Sequence, residues 1–243
     1  RFLYEGFEVR CLIRPGRRDP GWLSDLPVEI VPADFFNPSD LLSHLKDVDY
    51  VVHIAGVSRA KRKSDFFRGN VETTANLLEA ASHFPSIKKF CFISSLTAVG
   101  PSENGVPLDE HATCRPVTTY GQSKLEAEKA CHRFGGRIPI VILRPPTVYG
   151  PRARDILHMF RWVRLGLVPT LGPIRKTLSL LYVTELARAI VLATRSDRSD
   201  GQTYFVGDPD EYQYLDLVSI SSSLLDRRTI SFPIPELLLY PIA

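Results

Sequence analysis

Apolar and polar positions along this chain follow two rhythms in alternation. Short apolar runs at residues 8–13 (EVRCLI), 28–31 (VEIV), 49–54 (DYVVHI), 87–93 (IKKFCFI) and 138–143 (IPIVIL) have the length and β-branched content of strands. Residues 1–6 (RFLYEG) read as the last turn of a helix closing on a glycine. Residues 38–45, 66–84 and 117–134 carry helical spacing instead, with Val71, Leu77, Leu78 and Ala81 on one face of the second and Asn37 as a cap for the first. Strands that alternate with helices, and are apolar enough to be covered on both faces, predict an α/β fold. The sheet should be parallel and doubly wound by right-handed crossovers. Past residue 151 the rhythm changes, with helices predicted over 155–165, 183–194, 215–225 and 236–242 and strands over 203–206 and 229–232. The predicted division is therefore a first domain over 1–150 and a smaller α/β lobe over 151–243, with helix 183–194 returning to the sheet.

In open parallel sheets, ligands bind beyond the carboxyl ends of the strands. Those ends here carry Arg14, Asp34, Ala55-Gly56, Ser94-Ser95 and Pro145-Pro146. Facing them should be the helix of residues 117–134, where Tyr120 and Lys124 stand four apart and share one face. Tyrosine is a poor base at neutral pH because its proton leaves only near pH 10. A neighbouring ammonium stabilises the phenolate and should lower that value, so that the tyrosine could exchange a proton with an alcohol or carbonyl oxygen. A serine at the strand end would hold the same oxygen by a hydrogen bond. A lone YxxxK pair is a weak signal; its context decides.

Composition narrows the partners. With 243 residues, 44% hydrophobic and 23% charged, the chain has the balance of an ordinary globular protein. A net charge of +3 is too small to call for a polyanionic partner. The basic clusters RPGRR and RAKRK lack accompanying aromatic platforms, so no nucleic acid is expected. Cys11, Cys91, Cys114 and Cys131 show no metal-ligand spacing, and no metal is predicted. Unpaired cysteines point to a reducing compartment, hence the cytoplasm. No apolar run reaches the ~20 residues of a membrane span.

The surrounding segments sharpen the Tyr/Lys signal. The chain resembles the extended short-chain dehydrogenase/reductase family, in its NAD-dependent epimerase/dehydratase branch, over nearly its whole length. FISSLTAVG resembles the strand end bearing the family's catalytic hydroxyl, and Ser95 lies 25 residues before Tyr120, the separation of that branch. The resemblance thus implies Ser95, Tyr120 and Lys124 as catalytic residues, with Lys124 also holding cofactor ribose. It implies cofactor contacts at Asp34 and Phe35 (ADFF), Ala55 and Gly56 (HIAGV), Asn70 (GNVETTANLLEA), and Pro145 and Val148 (LRPPTVYGPR). Ser95, Thr97 and Arg152 would meet substrate, although Arg152 reads equally well as an exposed loop charge. His53 reads better as a core histidine. LLYVTELARAI and GQTYFVGD resemble the start of a helix and the strand after it in the smaller lobe.

The family opens on a strand and a glycine-rich turn that cradle the pyrophosphate. Neither is found here, so the fold expected is a Rossmann-type sheet lacking its first strand, in an amino-terminally truncated chain that binds dinucleotide poorly. Arg14, backed by Arg17 and Arg18, could pair a 2′-phosphate, which leans the cofactor from NAD toward NADP. The expected activity is hydride transfer at a secondary alcohol or ketone, such as that of a nucleotide sugar, in an oxidoreductase, epimerase or dehydratase. A homodimer is the assembly to look for. The rival reading is a non-catalytic NAD(P)-binding sensor or assembly protein on the same fold.

Overall fold

A computed structural model describes residues 1–16, 21–102, 106–171 and 177–234. In chain order the elements begin with β1 (Arg10–Ile13), β2 (Glu29–Pro32), α1 (Pro38–His44), β3 (Tyr50–His53), α2 (Lys63–Phe67) and α3 (Thr73–Ser82). Then come β4 (Lys89–Ile93), α4 (Thr119–Phe134), β5 (Ile140–Arg144), β6 (Thr147–Tyr149), α5 (Arg154–Arg164), β7 (Leu167–Leu171), β8 (Thr177–Leu178) and β9 (Leu180–Tyr182). The last are α6 (Val183–Arg195), β10 (Thr203–Phe205), β11 (Tyr212–Gln213), α7 (Tyr214–Leu224) and β12 (Ile230–Ile234). Two compact units result, Arg1–Pro145 with Leu186–Val206, and Pro146–Glu185 with Gly207–Ala243.

The first unit is built on parallel strands. β3, β4, β5 and β10 form one sheet in the order β10-β5-β4-β3, while β1 and β2 pair separately. Among the described residues β1 and β2 share no backbone ladder with the four-stranded sheet. Side-chain alternation assigns the two faces. Phe90, Phe92, Ile140 and Ile142 pack with Leu77, Leu78, Ala127, Ala130 and Cys131 of α3 and α4. Cys91, Ile93, Val141 and Leu143 point the other way and pack with Ile190 of α6. Every residue of β4 and β5 is buried, as a sheet covered on both faces requires. Each fully buried Phe or Leu stabilises the unit by about 1.5–3 kcal/mol.

Local sequence sets the ends. Asn37 accepts a hydrogen bond from Ser39 N–H to cap α1, and Gly6 takes the left-handed φ of 81° that closes the first helical turn, Phe2–Glu5. The helix predicted over 66–84 differs from expectation. It begins at Lys63 and widens into a π turn over Arg68–Glu72 before α3. Hydropathy spacing does not register that extra residue, because the apolar stripe continues on both sides of it.

In the second unit β6 pairs β9 and β7 pairs β12 in parallel, while β8 pairs β11 antiparallel. Val163, Val168 and Val218 form its small core with Tyr214. Helices α5 and α7 lie close to their predicted spans, but β6, β7, β8, β9 and β11 were not predicted. They are two to five residues long and carry little alternation. The helix predicted over 236–242 lies outside the described residues, as do Arg17 and Arg18. Among the described residues no helix is long and apolar enough to cross a membrane, and no cluster of His, Cys, Asp and Glu could hold a metal. All four cysteines are free.

Candidate active site

Strand β4 ends on three hydroxyls with different surroundings. Ser94 is buried and donates to the Glu128 carboxylate. Ser95 caps the 3-10 turn Leu96–Ala98, and its Oγ accepts from Thr97 N–H at 3.2 Å and from Thr97 Oγ1–H at 2.9 Å. The turn is held to β5 by Ser94 N–H to Leu143 O at 2.7 Å and Leu96 N–H to Pro145 O at 2.9 Å. Ser95 is thereby turned outward and Ser94 inward, which separates the two adjacent serines chemically.

Helix α4 starts where Thr118 Oγ1 accepts from Gly121 N–H at 3.0 Å. A Cβ on Gly121 would lie 2.2 Å from the Thr97 carbonyl oxygen, so only glycine lets this turn pack so closely on the strand end. The same turn brings Tyr120 close enough to Ser95 for the serine to act on the phenol's pKa. Burial pushes the Tyr120 phenol above its ordinary pKa, and only Ser95 works in the other direction. The expected lowering by lysine is not found. Lys124 Nζ instead donates to Ile93 O at 2.6 Å and sits 4.3 Å over the Phe92 ring. Burial brings the Lys124 ammonium down to about 8, opposed by Cys131 and Glu128. Tyrosine and lysine thus share a face but not, in this arrangement, a charge.

The loop after β3 is fixed from behind. Asn70, in the π turn and 1% exposed, accepts from Val57 N–H at 2.6 Å and donates to Val57 O at 3.0 Å and Ser123 Oγ at 2.8 Å. Ser123 in turn donates to Tyr120 O at 2.7 Å. One buried amide therefore ties the loop after β3, at Val57, to the turn that carries Tyr120, and its polar contacts among the described residues are all internal. A Cβ on Gly56 would meet Asn70 Oδ1 at 2.9 Å, and one on Gly69 would meet Val57 Cγ2 at 2.3 Å. His53 is a core residue, as its reading favoured. It lies 3.0 Å from the Thr74 hydroxyl, stacks with Phe35 and Phe92, and burial followed by the Lys124 charge lowers it to about 3.

Sequence reading passed over a second buried network. Arg144 holds Glu128 bidentately, Nε to Oε1 at 3.0 Å and Nη2 to Oε2 at 2.7 Å, and also reaches Cys114 Sγ at 3.4 Å. Its Nη1 has no partner among the described residues. Glu110 accepts from Phe205 N–H at 2.9 Å, anchoring the loop before α4 to β10. The available signal was spacing: Glu128 continues the four-residue step from Tyr120 through Lys124.

The remaining candidates sit where their strands end. Arg14 is exposed after β1 and Asp34 exposed after β2, adjacent strands whose pairing extends through Ala33 N–H to Ile13 O at 2.8 Å. Asp34 Oδ1 accepts from Phe36 N–H, and Phe35 is half-buried. Pro145 is buried at the end of the first unit. In the second unit Val148 is half-buried on β6 opposite Leu181, and Arg152 is exposed with a left-handed φ of 75°. Within the first unit, Ser95, Thr97, Tyr120 and Lys124 are brought together at the carboxyl end of β4. Such a group can donate to, or accept from, the oxygen of an alcohol or ketone.

The chain is similar to several known proteins. The chain is 29% identical over 203 residues to an uncharacterised UDP-glucose epimerase, YtcB, of Bacillus subtilis, covering 78% of this chain and 63% of that protein. It is 28% identical over 193 residues to the ceramide reductase of Caulobacter vibrioides, covering 79% of this chain and 55% of that protein. Among solved structures, the UDP-glucuronic acid 4-epimerase of Bacillus cereus, determined in complex with NAD, superposes with a TM-score of 0.80 at 25% identity, covering 94% of this chain and 80% of that one. The chain therefore spans less than two thirds of the length of both curated relatives. The profile of the NAD dependent epimerase/dehydratase family matches residues 1–207, and the chain belongs to that family.

Proposed function

We propose that this chain carries the catalytic centre of an NAD(P)-dependent epimerase/dehydratase or dehydrogenase/reductase that works by hydride transfer at a secondary alcohol or ketone, with a nucleotide sugar as the favoured substrate. One observation carries the reading: Ser95, close enough to Tyr120 to act on its pKa, and the buried Lys124 ammonium stand together at the carboxyl end of a parallel sheet.

The donor set suits a dinucleotide. Lys124 has N–H groups to spare beyond its one bond to Ile93 O, and Asp34 offers an exposed carboxylate after β2. Ala55 and Gly56 are exposed, just before Val57, whose backbone Asn70 holds. A bound nicotinamide would supply the hydride acceptor. Lys124 would hold ribose hydroxyls, Asp34 and Phe35 the adenosine end, and Pro145 and Val148 would line the nicotinamide. Arg14 favours NADP over NAD. Arg152 would meet a substrate phosphate.

Tyr120 is the acid/base. Buried and protonated at neutral pH, it is ready to give its proton to a carbonyl oxygen, and Ser95 holds that oxygen. In the oxidative direction Tyr120 must first lose its proton, and a Lys124 ammonium released from Ile93 O would favour that loss by charge. The proposed site is a cytoplasmic one, in a homodimer.

The test is a panel of sugar nucleotides and alcohols with NAD and NADP, run on the full-length protein beside its Tyr120→Phe variant. Net cofactor turnover means dehydrogenase or reductase; product without net turnover means epimerase or dehydratase. Tyr120→Phe should lose at least ~100-fold in kcat. Equal turnover by the variant would sink the reading, and cofactor binding without turnover by either protein would favour a sensor.

A further inference from the structure

Lys124 takes its charge into the interior without the partner that a buried ammonium ordinarily has. It is 3% exposed, and among the described residues no carboxylate makes ion-pair contact with it. Two adjacent residues of β4 form its seat instead. Ile93 offers its carbonyl oxygen to Nζ at 2.6 Å, and the Phe92 ring lies under the ammonium with its centroid 4.3 Å from Nζ. That distance is well inside the ~6 Å over which a ring face attracts a cation, and the attraction grows where water is excluded. We propose that Phe92 is a positioning residue: its ring face seats the Lys124 ammonium in place of a carboxylate, so that the charge is held one helical turn from Tyr120 with no counter-charge to cancel it. The inference rests on the proposed function and deepens it, since that reading asks the ammonium to act on the phenol.

Two further observations support the seat. Phe92 is fully buried, and its ring is stacked with His53, the centroids 5.8 Å apart and the planes 27° from parallel. Burial and then the Lys124 charge bring His53 down to about 3, so the imidazole is neutral and does not compete for the ring. Second, a ring attracts the charge as a whole and fixes no direction for its protons. Lys89, by contrast, spends all three N–H groups on its partners. Lys124 is thus able to turn from Ile93 O toward a ribose or the phenol while it stays over Phe92. The other ionisable groups of its own helix that act on it are Glu128, which Arg144 of β5 pairs bidentately, and Cys131, whose thiol burial pushes up. His53, Cys131 and Tyr120 are all neutral near pH 8, so a change of charge there belongs to Lys124.

Fluorine withdraws the negative charge of a ring face while leaving the ring's shape and burial nearly unchanged. Mono-, di- and trifluorinated phenylalanine at position 92 of the full-length protein therefore grade the attraction and little else. Lys124 is followed without substrate by carbon-13 lysine NMR titration, with Lys124→Met assigning its signal. The Lys124 pKa should fall stepwise with each fluorine, by about one unit for the trifluorinated ring. The pH above which kcat/KM declines should move down by the same amount. A Phe92 that only fills space would give one pKa across the series, and that result overturns the proposal. A pH–rate profile that stays fixed while the pKa falls overturns it too. Because the titration needs no substrate, a failed activity panel with a graded Lys124 pKa would overturn the proposed reaction and leave the seat on Phe92 established.

Discussion

Two buried lysines flank the same strand, each only 3% exposed, and they differ in almost everything else. Lys89 opens β4 at the amino end of the sheet. Its ammonium meets Asp200 Oδ1 at 2.6 Å, Ser199 Oγ at 2.9 Å and the Ser196 carbonyl, which uses all three of its protons. Lys124 lies past the other end of β4, with one carbonyl and one ring face and no carboxylate in ion-pair contact among the described residues. Burial lowers it to about 8. A charge removed from water is costly unless it is paired and hydrogen-bonded. The fold meets that requirement for the lysine that ties β4 to the segment after α6, and leaves it unmet for the lysine beside Tyr120. Perturbed groups gather at functional sites; here the contrast lies within one strand.

The sharpest way to break the comparison is to remove each amine in turn and measure turnover. Lys124→Met should cost the full-length protein ~100- to 10,000-fold in kcat/KM, about 3–5.5 kcal/mol of barrier. Lys89→Met should leave the pH–rate profile of the folded fraction unchanged. If the two substitutions depress turnover per folded molecule equally, the partnered and unpartnered lysines are not functionally distinct.

Stability should rank them in the opposite order. Lys89→Met strands the Asp200 carboxylate and the Ser196 carbonyl, and breaking a buried pair costs about 3–5 kcal/mol. Asp200 is 42% exposed and can recover part of its hydration, so a loss of roughly 2–3 kcal/mol in urea unfolding is expected. A loss below about 0.5 kcal/mol would show that the three contacts to Lys89 contribute little.

The two lysines were not equally legible in the sequence. Lys124 was found because its step from Tyr120 and its place after a strand ending in Ser94-Ser95 are both local patterns. Lys89 was not, since its partners Ser196, Ser199 and Asp200 lie more than 100 residues away and only the sheet brings them near. The same divide runs through the rest. Strands β3, β4 and β5 were readable from continuous apolar runs, and the Asn37 cap from its residue type. The π turn that seats Asn70, the Glu128–Arg144 pair and the Gly121–Thr97 contact depend on approaches between elements that no single stretch encodes. The direction of the Tyr120 shift was misread for that reason. Spacing put phenol and ammonium on one face, but the Ile93 carbonyl, contributed by another element, holds the ammonium.

The smallest effect is the most specific to Lys124. Its folded pKa of about 8 lies below its ordinary value of 10.5, so between those two pH values the unfolded chain binds a proton that the folded one has released. Stability must rise with pH wherever the unfolded state binds more protons. The contribution of Lys124 is unfavourable in full below pH 8 and fades toward pH 10.5. From pH 7 to pH 9 it should add about 1 kcal/mol to the unfolding free energy. Lys124→Met has no such proton to lose, and its stability curve over that interval should fall below the parent's slope by the same amount. Parallel curves for the two proteins would mean that Lys124 stays charged when folded, and the distinction between the two ends of β4 would then rest on contacts alone.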